Sequence, residues 1–246
     1  YSVSRSTISR HLLHGGMEAH GYPTMTFKVT SWRSTKGERI SVKAQRISTA
    51  IKMTAYYSKG IEIFYLDESH WDVGRRPIRG WSPRGQKAYC TRSFQRTRFT
   101  VISAMSSLGN LYAHVVKGMV TASVFEAFIK ELFEWYHQKQ LAERCVFYLD
   151  NAPVHRKDHL EQLFDASGHV LVFGAPYSPK MNPIEFMFGI WKRMADEIIG
   201  TQQITEDNIK AALTESFYKF PSSSIRNLVG HVFNKVYDRV FHGEDI

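Results

Sequence analysis

The sequence predicts an α/β fold around a mixed β-sheet, and three observations carry that prediction. Three apolar, β-prone runs come first: IEIFYLDES (61–69), then TRFTVISAMSS and NLYAHVVKG, the last two joined by the turn signal LGN. Helical and extended patterns then alternate, the order that builds parallel pairing into a layered sheet. The chain has 246 residues, 43% hydrophobic and 13% aromatic, enough to bury a full core.

Each element has a local reason. The opening SVSRSTISRHLL reads as a short helix from a Ser cap, with Ile8, Leu12 and Leu13 on one side and Gly15-Gly16 stopping it. Ser4, Arg5, Ser6, Thr7 and Arg10 offer the small polar and basic groups that a major-groove recognition helix presents, though a plain terminal helix reads the same way. Residues 41–58 read as helical and lead into strand 61–69 and the hairpin. TASVFEAFIKELFEWYHQKQ is amphipathic, with Val124, Phe128, Leu132 and Trp135 at helical spacing. CVFYLDN is a second buried strand, followed by a helix near 155–165, the short strand HVLVF and a helix starting at Asn182. Two further helices are expected over 205–219 and 223–241. The last carries Ile225, Leu228, Val229, Val232, Phe233 and Val236 as a stripe for domain packing.

Charge is unevenly placed within a net +9. Residues 1–60 hold ten Lys/Arg against two Asp/Glu, and residues 74–98 hold eight basic residues and no acid. From 99 onward the balance is 14 basic against 17 acidic, so the basic front end predicts a polyanionic partner, most simply nucleic acid. No run of 18 apolar residues is present, which argues against a membrane partner, and the polar start lacks a secretory signal. Two cysteines, Cys90 and Cys145, do not make a disulfide scaffold and predict a reducing, intracellular setting.

Two aspartates fall at the ends of apolar strands. Period-2 alternation puts Asp67 on the face of Ile61, Ile63 and Tyr65, and Asp150 follows CVFYL. Each alone reads as a turn residue. Together they crowd the sheet edge where open α/β sheets place their ligands. A third acid, Glu185, stands three residues after Asn182 and two after Pro183, the arrangement of a capping box at a helix start. Glu185 also shares a helix face with Gly189, Lys192 and Asp196, opposite the apolar Met187, Trp191, Met194 and Ile198. Crowded carboxylates need a cation, and hard oxygen donors suit Mg²⁺ or Mn²⁺, two of which would support displacement at phosphate.

YLDES, RGWSPRGQ, YLDNAPVHR and PYSPKMNPIE together resemble the catalytic domain of mariner-superfamily transposases, in the Asp-Asp-Glu branch that includes bacterial insertion-sequence relatives. The 34 residues between Asp150 and Glu185 are that branch's spacing, and the resemblance covers about 41–200. It implies an RNase H-like (retroviral-integrase-like) fold with helices on both faces of the sheet. It implies a triad of Asp67, Asp150 and Glu185 binding two Mg²⁺ (or Mn²⁺) ions, with Asn151, His155 and Asn182 beside it as supports or DNA contacts. The implied reaction is cleavage at transposon ends and attack of the freed 3′-OH on target DNA at TA sites, by a homodimer. Residues 1–16 resemble the end of a helix-turn-helix DNA-binding domain, with 17–58 a linker and connecting helix and 59–246 the catalytic domain, its last helices at 204–246. The basic 74–98 segment, with Arg75, Arg76, Arg79, Arg84 and Lys87, resembles a clamp on DNA and the partner subunit.

Within that segment Trp81 packs a partner or stacks on bases, the former preferred. Trp71 before it has the same two readings. His155 and His159 have zinc spacing without the Glu a zinc protease needs. A domesticated DNA-binding protein, or another RNase H-like nuclease, is the alternative function. The expected location is the nucleus in a eukaryote, which is preferred, or the cytoplasm and nucleoid in a bacterium.

Overall fold

The computed structural model describes residues 40–72, 97–139, 144–151, 157–199, 205–244 and 246. Five strands form one sheet in the order β3-β2-β1-β4-β5: β1 (Ile63–Asp72), β2 (Arg98–Ser106), β3 (Leu111–Lys117), β4 (Val146–Leu149) and β5 (Val170–Phe173). β1, β2 and β3 pair antiparallel, while β4 pairs parallel with β1 and β5 parallel with β4. The sheet is mixed, as predicted. Gly109 closes the predicted hairpin at φ +97°, and a Cβ there would meet Ser222 at 2.9 Å, so the turn has room for glycine alone.

β1 is longer than expected. The sequence places its end near Asp67, but antiparallel pairing to β2 continues through Asp72↔Arg98, where the Arg98 guanidinium donates to Asp72 at 2.7 Å. What stops near Asp67 is the parallel pairing, whose last pair is Leu66↔Leu149. Asp67 and Asp150 are the residues immediately after that pair, so the register itself sets them side by side.

Alternation sends the strands' side chains into two cores. Phe64, Leu66, Phe147 and Leu149 pack with α2 (Ala122–Gln138) and α3 (Lys157–Ser167) on one face. Ile63, Tyr65, Trp71, Val146 and Tyr148 face the other side. There they meet α1 (Ile40–Ser58), α4 (Pro183–Ile199), α5 (Glu206–Tyr218), and a rod of α6 (Ser222–His231), a π turn (Val232–Val236) and α7 (Tyr237–Phe241). Each large apolar side chain buried this way contributes about 1.5–3 kcal/mol.

Two helices are rotated from their predicted faces. In α2 the buried line is Phe125, Phe128, Ile129, Leu132, Phe133 and Tyr136. Val124 and Trp135 lie at its edge, Trp135 against Tyr112 of β3 at 5.3 Å. The helix crosses the middle of the sheet and needs a face wider than one i, i+4, i+7 line. In α4, Met187 and Trp191 are buried as predicted, but Met194 and Ile198 are only partly so. Ile184, Phe188, Ala195 and Ile199 complete the contact. Along the C-terminal rod, Ile225, Val229, Val232 and Val236 are buried in the predicted stripe and Leu228 and Phe233 half-buried. The chain from Ile40 onward forms one unit, and α1 is clamped to the rod by Tyr57 stacking on Phe233 at 4.2 Å.

Candidate active site

A cavity of about 400 Å³ opens where the parallel pairs end, lined by Asp67, Tyr148, Asp150, Asn151, Asn182, Glu185 and the loop 174–179. Asp67 reaches it from β1 by the alternation that buries Ile63 and Tyr65. Asp150 reaches it from the end of β4, two residues beyond Tyr148. Glu185 comes from the first turn of α4.

Two side-chain bonds lash α4 to β1 on either side of Glu185. Asn182, 2% exposed, donates from Nδ2 to the Leu66 carbonyl at 3.2 Å, one residue before Asp67. Further along, the buried Trp71 donates its indole N–H to Asp196 at 2.9 Å, which assigns Trp71 to packing. Glu185 is thereby held over Asp67.

Only half of the predicted capping box forms. Asn182 Oδ1 accepts from the Ile184 N–H at 3.3 Å, so the cap is present. The reciprocal bond from Glu185 is not needed, because the Asn182 N–H already donates to Pro179 O at 2.9 Å in a 3₁₀ turn, Pro179–Met181. Glu185 is left to turn toward Asp67.

The loop before that turn is fixed from two directions. The Gly174 N–H donates to Leu149 O at 2.8 Å, and a Cβ at Gly174 would press on the Tyr148 phenol, 2.8 Å from its Cζ. On the other side the buried Arg46 of α1 donates to Ser178 Oγ at 2.6 Å and to the Tyr177 carbonyl at 2.9 Å.

Electrostatics single out the same acids. Burial holds Asp67 well above the usual carboxylate range, Glu185 and Asp150 add repulsion, and the 2.8 Å bond from the Glu68 N–H only partly opposes them. Burial also raises Glu185, with Asp150 adding to the rise, while a hydrogen bond from Asp67 and the charge of Lys192 work against it. The rise is the larger at Asp67, the more deeply buried of the two. Among the described residues no three His, Cys, Asp or Glu side chains are already gathered into an ion-holding set. Asp67 and Glu185 are bonded to each other instead. The donor chemistry nonetheless fits a hard divalent cation: three carboxylates from three elements, whose mutual repulsion a cation would cancel.

Residues 62–207, more than half of the chain, match the family described as DDE superfamily endonuclease. The chain belongs to that family. Among solved structures this DDE endonuclease is similar to the Mos1 transposase paired-end complex with left transposon end, at TM-score 0.73 and 16% identity, covering 98% of this chain and 70% of that one. It is similar also to the Mos1 mariner paired end complex with Mn (TM-score 0.71, 15% identity, 98% and 71% covered). The Mos1 Strand Transfer Complex gives TM-score 0.69 at 17% identity, with 98% and 70% covered. At these identities the likeness establishes the fold, which is the RNase H-like one expected, with helices on both faces of the sheet. No protein with a curated description matches the chain by sequence.

Of the predicted site residues, the endonuclease brings Asp67, Asp150, Glu185, Asn151 and Asn182 into one cavity. Ser4, Arg5, Ser6, Thr7, Arg10, Arg75, Arg76, Arg79, Trp81, Arg84, Lys87 and His155 lie outside the described residues, as does Cys90. His159 is exposed and pairs with Glu126 at 3.5 Å. Cys145 is a free, buried thiol pushed up to about 12, too high to ionise near neutrality. No helix among the described residues is long and apolar enough to cross a membrane. Sequence reasoning missed Arg46, Tyr148, Gly174, Tyr177 and Ser178. For the loop residues the only signal was the two prolines of Pro-Tyr-Ser-Pro, which mark a stiff turn just before Glu185. Arg46, 132 positions from Ser178, carried none.

Proposed function

We propose that this chain is a DNA transposase that cleaves transposon ends and joins the freed 3′-OH to target DNA at TA sites, acting as a homodimer. One observation carries the reading: in a DDE endonuclease, the three acids Asp67, Asp150 and Glu185 meet in one cavity at the end of the parallel strand pair. These acids would hold two Mg²⁺ or Mn²⁺ ions. The ions supply Lewis-acid activation of the attacking oxygen and charge stabilisation of the leaving one. Asn182 keeps Glu185 in register with β1, and the charge of Lys192 opposes part of the rise that burial imposes on Glu185. In the first step water attacks a phosphodiester and the 3′ oxygen departs with a proton. In the second that 3′-OH attacks a target phosphate, whose own 3′ oxygen leaves.

The test offers the protein DNA carrying candidate terminal inverted repeats, with and without Mg²⁺. Cleavage and strand transfer are expected with Mg²⁺ alone, and loss of both in Asp150→Ala and Glu185→Gln. Cleavage that survives either substitution would overturn the assignment. Cleavage without strand transfer would make the protein a nuclease and not a transposase.

A further inference from the structure

Tyr177 has an unusual combination of properties. It is the one non-glycine among the described residues with positive φ (52°), a backbone conformation that L side chains rarely adopt. The residue is 88% exposed, the most of any large hydrophobic residue described, yet it lines the same cavity as the three acids. Strain of this kind persists only where the surroundings over-determine it. They do so here. Arg46, itself 5% exposed, holds the Tyr177 carbonyl and the Ser178 hydroxyl, and Ser178 Oγ donates to the Pro176 carbonyl at 2.9 Å. Pro176 and Pro179 restrict the backbone on either side. A buried guanidinium and two prolines thus fix the backbone that carries an exposed ring, for which no ring contact is found among the described residues. An exposed aromatic ring on a fixed backbone at the rim of the acid cavity is available to a ligand that arrives from outside.

We propose that Tyr177 is a stacking platform for an unpaired nucleobase of the DNA strand delivered to the carboxylates. The proposal rests on the reading of the site as one that cuts DNA. The cavity of about 400 Å³ beside the acids has room for an unpaired nucleotide next to the scissile phosphate, a base that has lost its stacking neighbours. An aromatic ring at the rim restores one stacked face and does so for any base, since every base has a π-face. Holding the Tyr177 backbone through Arg46 limits where the ring can stand relative to the acids, and so where a stacked base would place its neighbouring phosphate. Tyr177 is in this sense a positioning residue.

The experiment uses three variants. Tyr177→Asn removes the ring but tolerates positive φ, whereas Tyr177→Phe and Tyr177→Trp keep a ring. Native protein and variants are assayed on end-containing duplexes with Mg²⁺, on the same duplex with an abasic residue in place of the base beside the cut, and on a duplex carrying 2-aminopurine there. On intact DNA, Tyr177→Asn is expected to cleave roughly tenfold more slowly, from the usual worth of one base–aromatic stack. Phe and Trp should cleave within about twofold of native, and the melting temperature of Tyr177→Asn should be unchanged or higher. On abasic DNA, native and Tyr177→Asn should cleave equally slowly, an equality that a purely structural role of Tyr177 would not produce. In bound DNA, 2-aminopurine should be dim with native protein and bright with Tyr177→Asn. Equal cleavage of intact DNA by the two would overturn the proposal, and so would a rate loss in Tyr177→Phe, which would assign the role to the hydroxyl. If native protein cleaves no DNA, the transposase reading fails separately, and the fluorescence still decides the stacking: equal brightness overturns it. A protein partner docking on Tyr177 would give that equal brightness.

Discussion

Asn182→Ala separates what holds Glu185 in place from what merely starts its helix. The Asn182 side chain makes two bonds, one from the Ile184 N–H and one to the Leu66 carbonyl, and it is buried. Loss of an N-cap costs about 1 kcal/mol. Loss of the strand bond costs about another 1 kcal/mol net, and a buried carbonyl left without that partner raises this toward 2. The expected destabilisation is therefore about 2–3 kcal/mol, or roughly 4–12 °C in melting temperature for a domain of this size. Thr205→Ala is the matched control: Thr205 Oγ1 caps α5 through the Asn208 N–H at 3.2 Å, far from the cavity in sequence and exposed. It should cost about 1 kcal/mol. Urea unfolding of both variants gives the stabilities, and cleavage of end DNA with Mg²⁺ gives the rates. The rate of Asn182→Ala should fall by about 100-fold, the cost of moving a reacting group by an ångström, while Thr205→Ala keeps the native rate below its melting range. Asn182→Asp keeps the cap acceptor and loses the donor to Leu66, so it should retain more stability than Ala yet cleave as poorly. If Asn182→Ala matched Thr205→Ala in both stability and rate, the bond to Leu66 would have no positioning role and the account of the site would be wrong.

Two glycines near the cavity should respond in opposite ways. Gly174→Ala drives a Cβ into the Tyr148 phenol and should cost about 1–3 kcal/mol in urea unfolding, with slower cleavage because Tyr148 lines the site. Gly189→Ala meets nothing within 4 Å in a helix interior and should stabilise the protein by about 0.5–1 kcal/mol; slower cleavage in this more stable variant would show DNA pressing against that face. Burial, and then the charge of His137, hold the His169 pKa below 6.5, so in the window just under 6.5 the unfolded chain binds a proton that the native one refuses. Stability should accordingly fall as pH drops through that window, and urea midpoints from pH 7.5 to 5 should show a slope that His169→Gln flattens.

The strands were legible because their signals are local: short β-prone runs, a Leu-Gly-Asn turn, and alternation that needs only neighbours in sequence. The two aspartates were legible because a charge at the end of an apolar strand requires a reason. The end of β1 was not, since whether residues 68–72 stay extended depends on β2, some thirty positions away, continuing to pair with them. Helix faces were read from single i, i+4, i+7 lines, and the packed faces of α2 and α4 are wider because each covers several strands or helices. Least legible was the support of the loop 174–179. The Arg46 bond joins residues 132 apart, and the glycine at 174 is explained by a tyrosine on another element. Positive φ at Tyr177 had no glycine or asparagine to announce it.

Asn-Pro-Ile-Glu is a good helix start on composition alone, and the structure separates its two acid-bearing readings. A capping box uses its Glu to satisfy the N–H of the cap residue. Here the preceding Ser-Pro-Lys-Met folds as a 3₁₀ turn whose Pro179 carbonyl has already taken the Asn182 N–H. Pro183 contributes no N–H at all, and Asn182 Oδ1 takes that of Ile184. The first turn therefore presents Glu185 with no unsatisfied donor to reach back for. What remains within its reach is Asp67, set there by the Asn182 bond to the carbonyl just before it. The capping chemistry is thus complete without the carboxylate, and for that reason the carboxylate is available as a ligand. A Glu185→Gln protein should keep its helix and lose only what the charge does, which makes that substitution a clean probe of the chemistry.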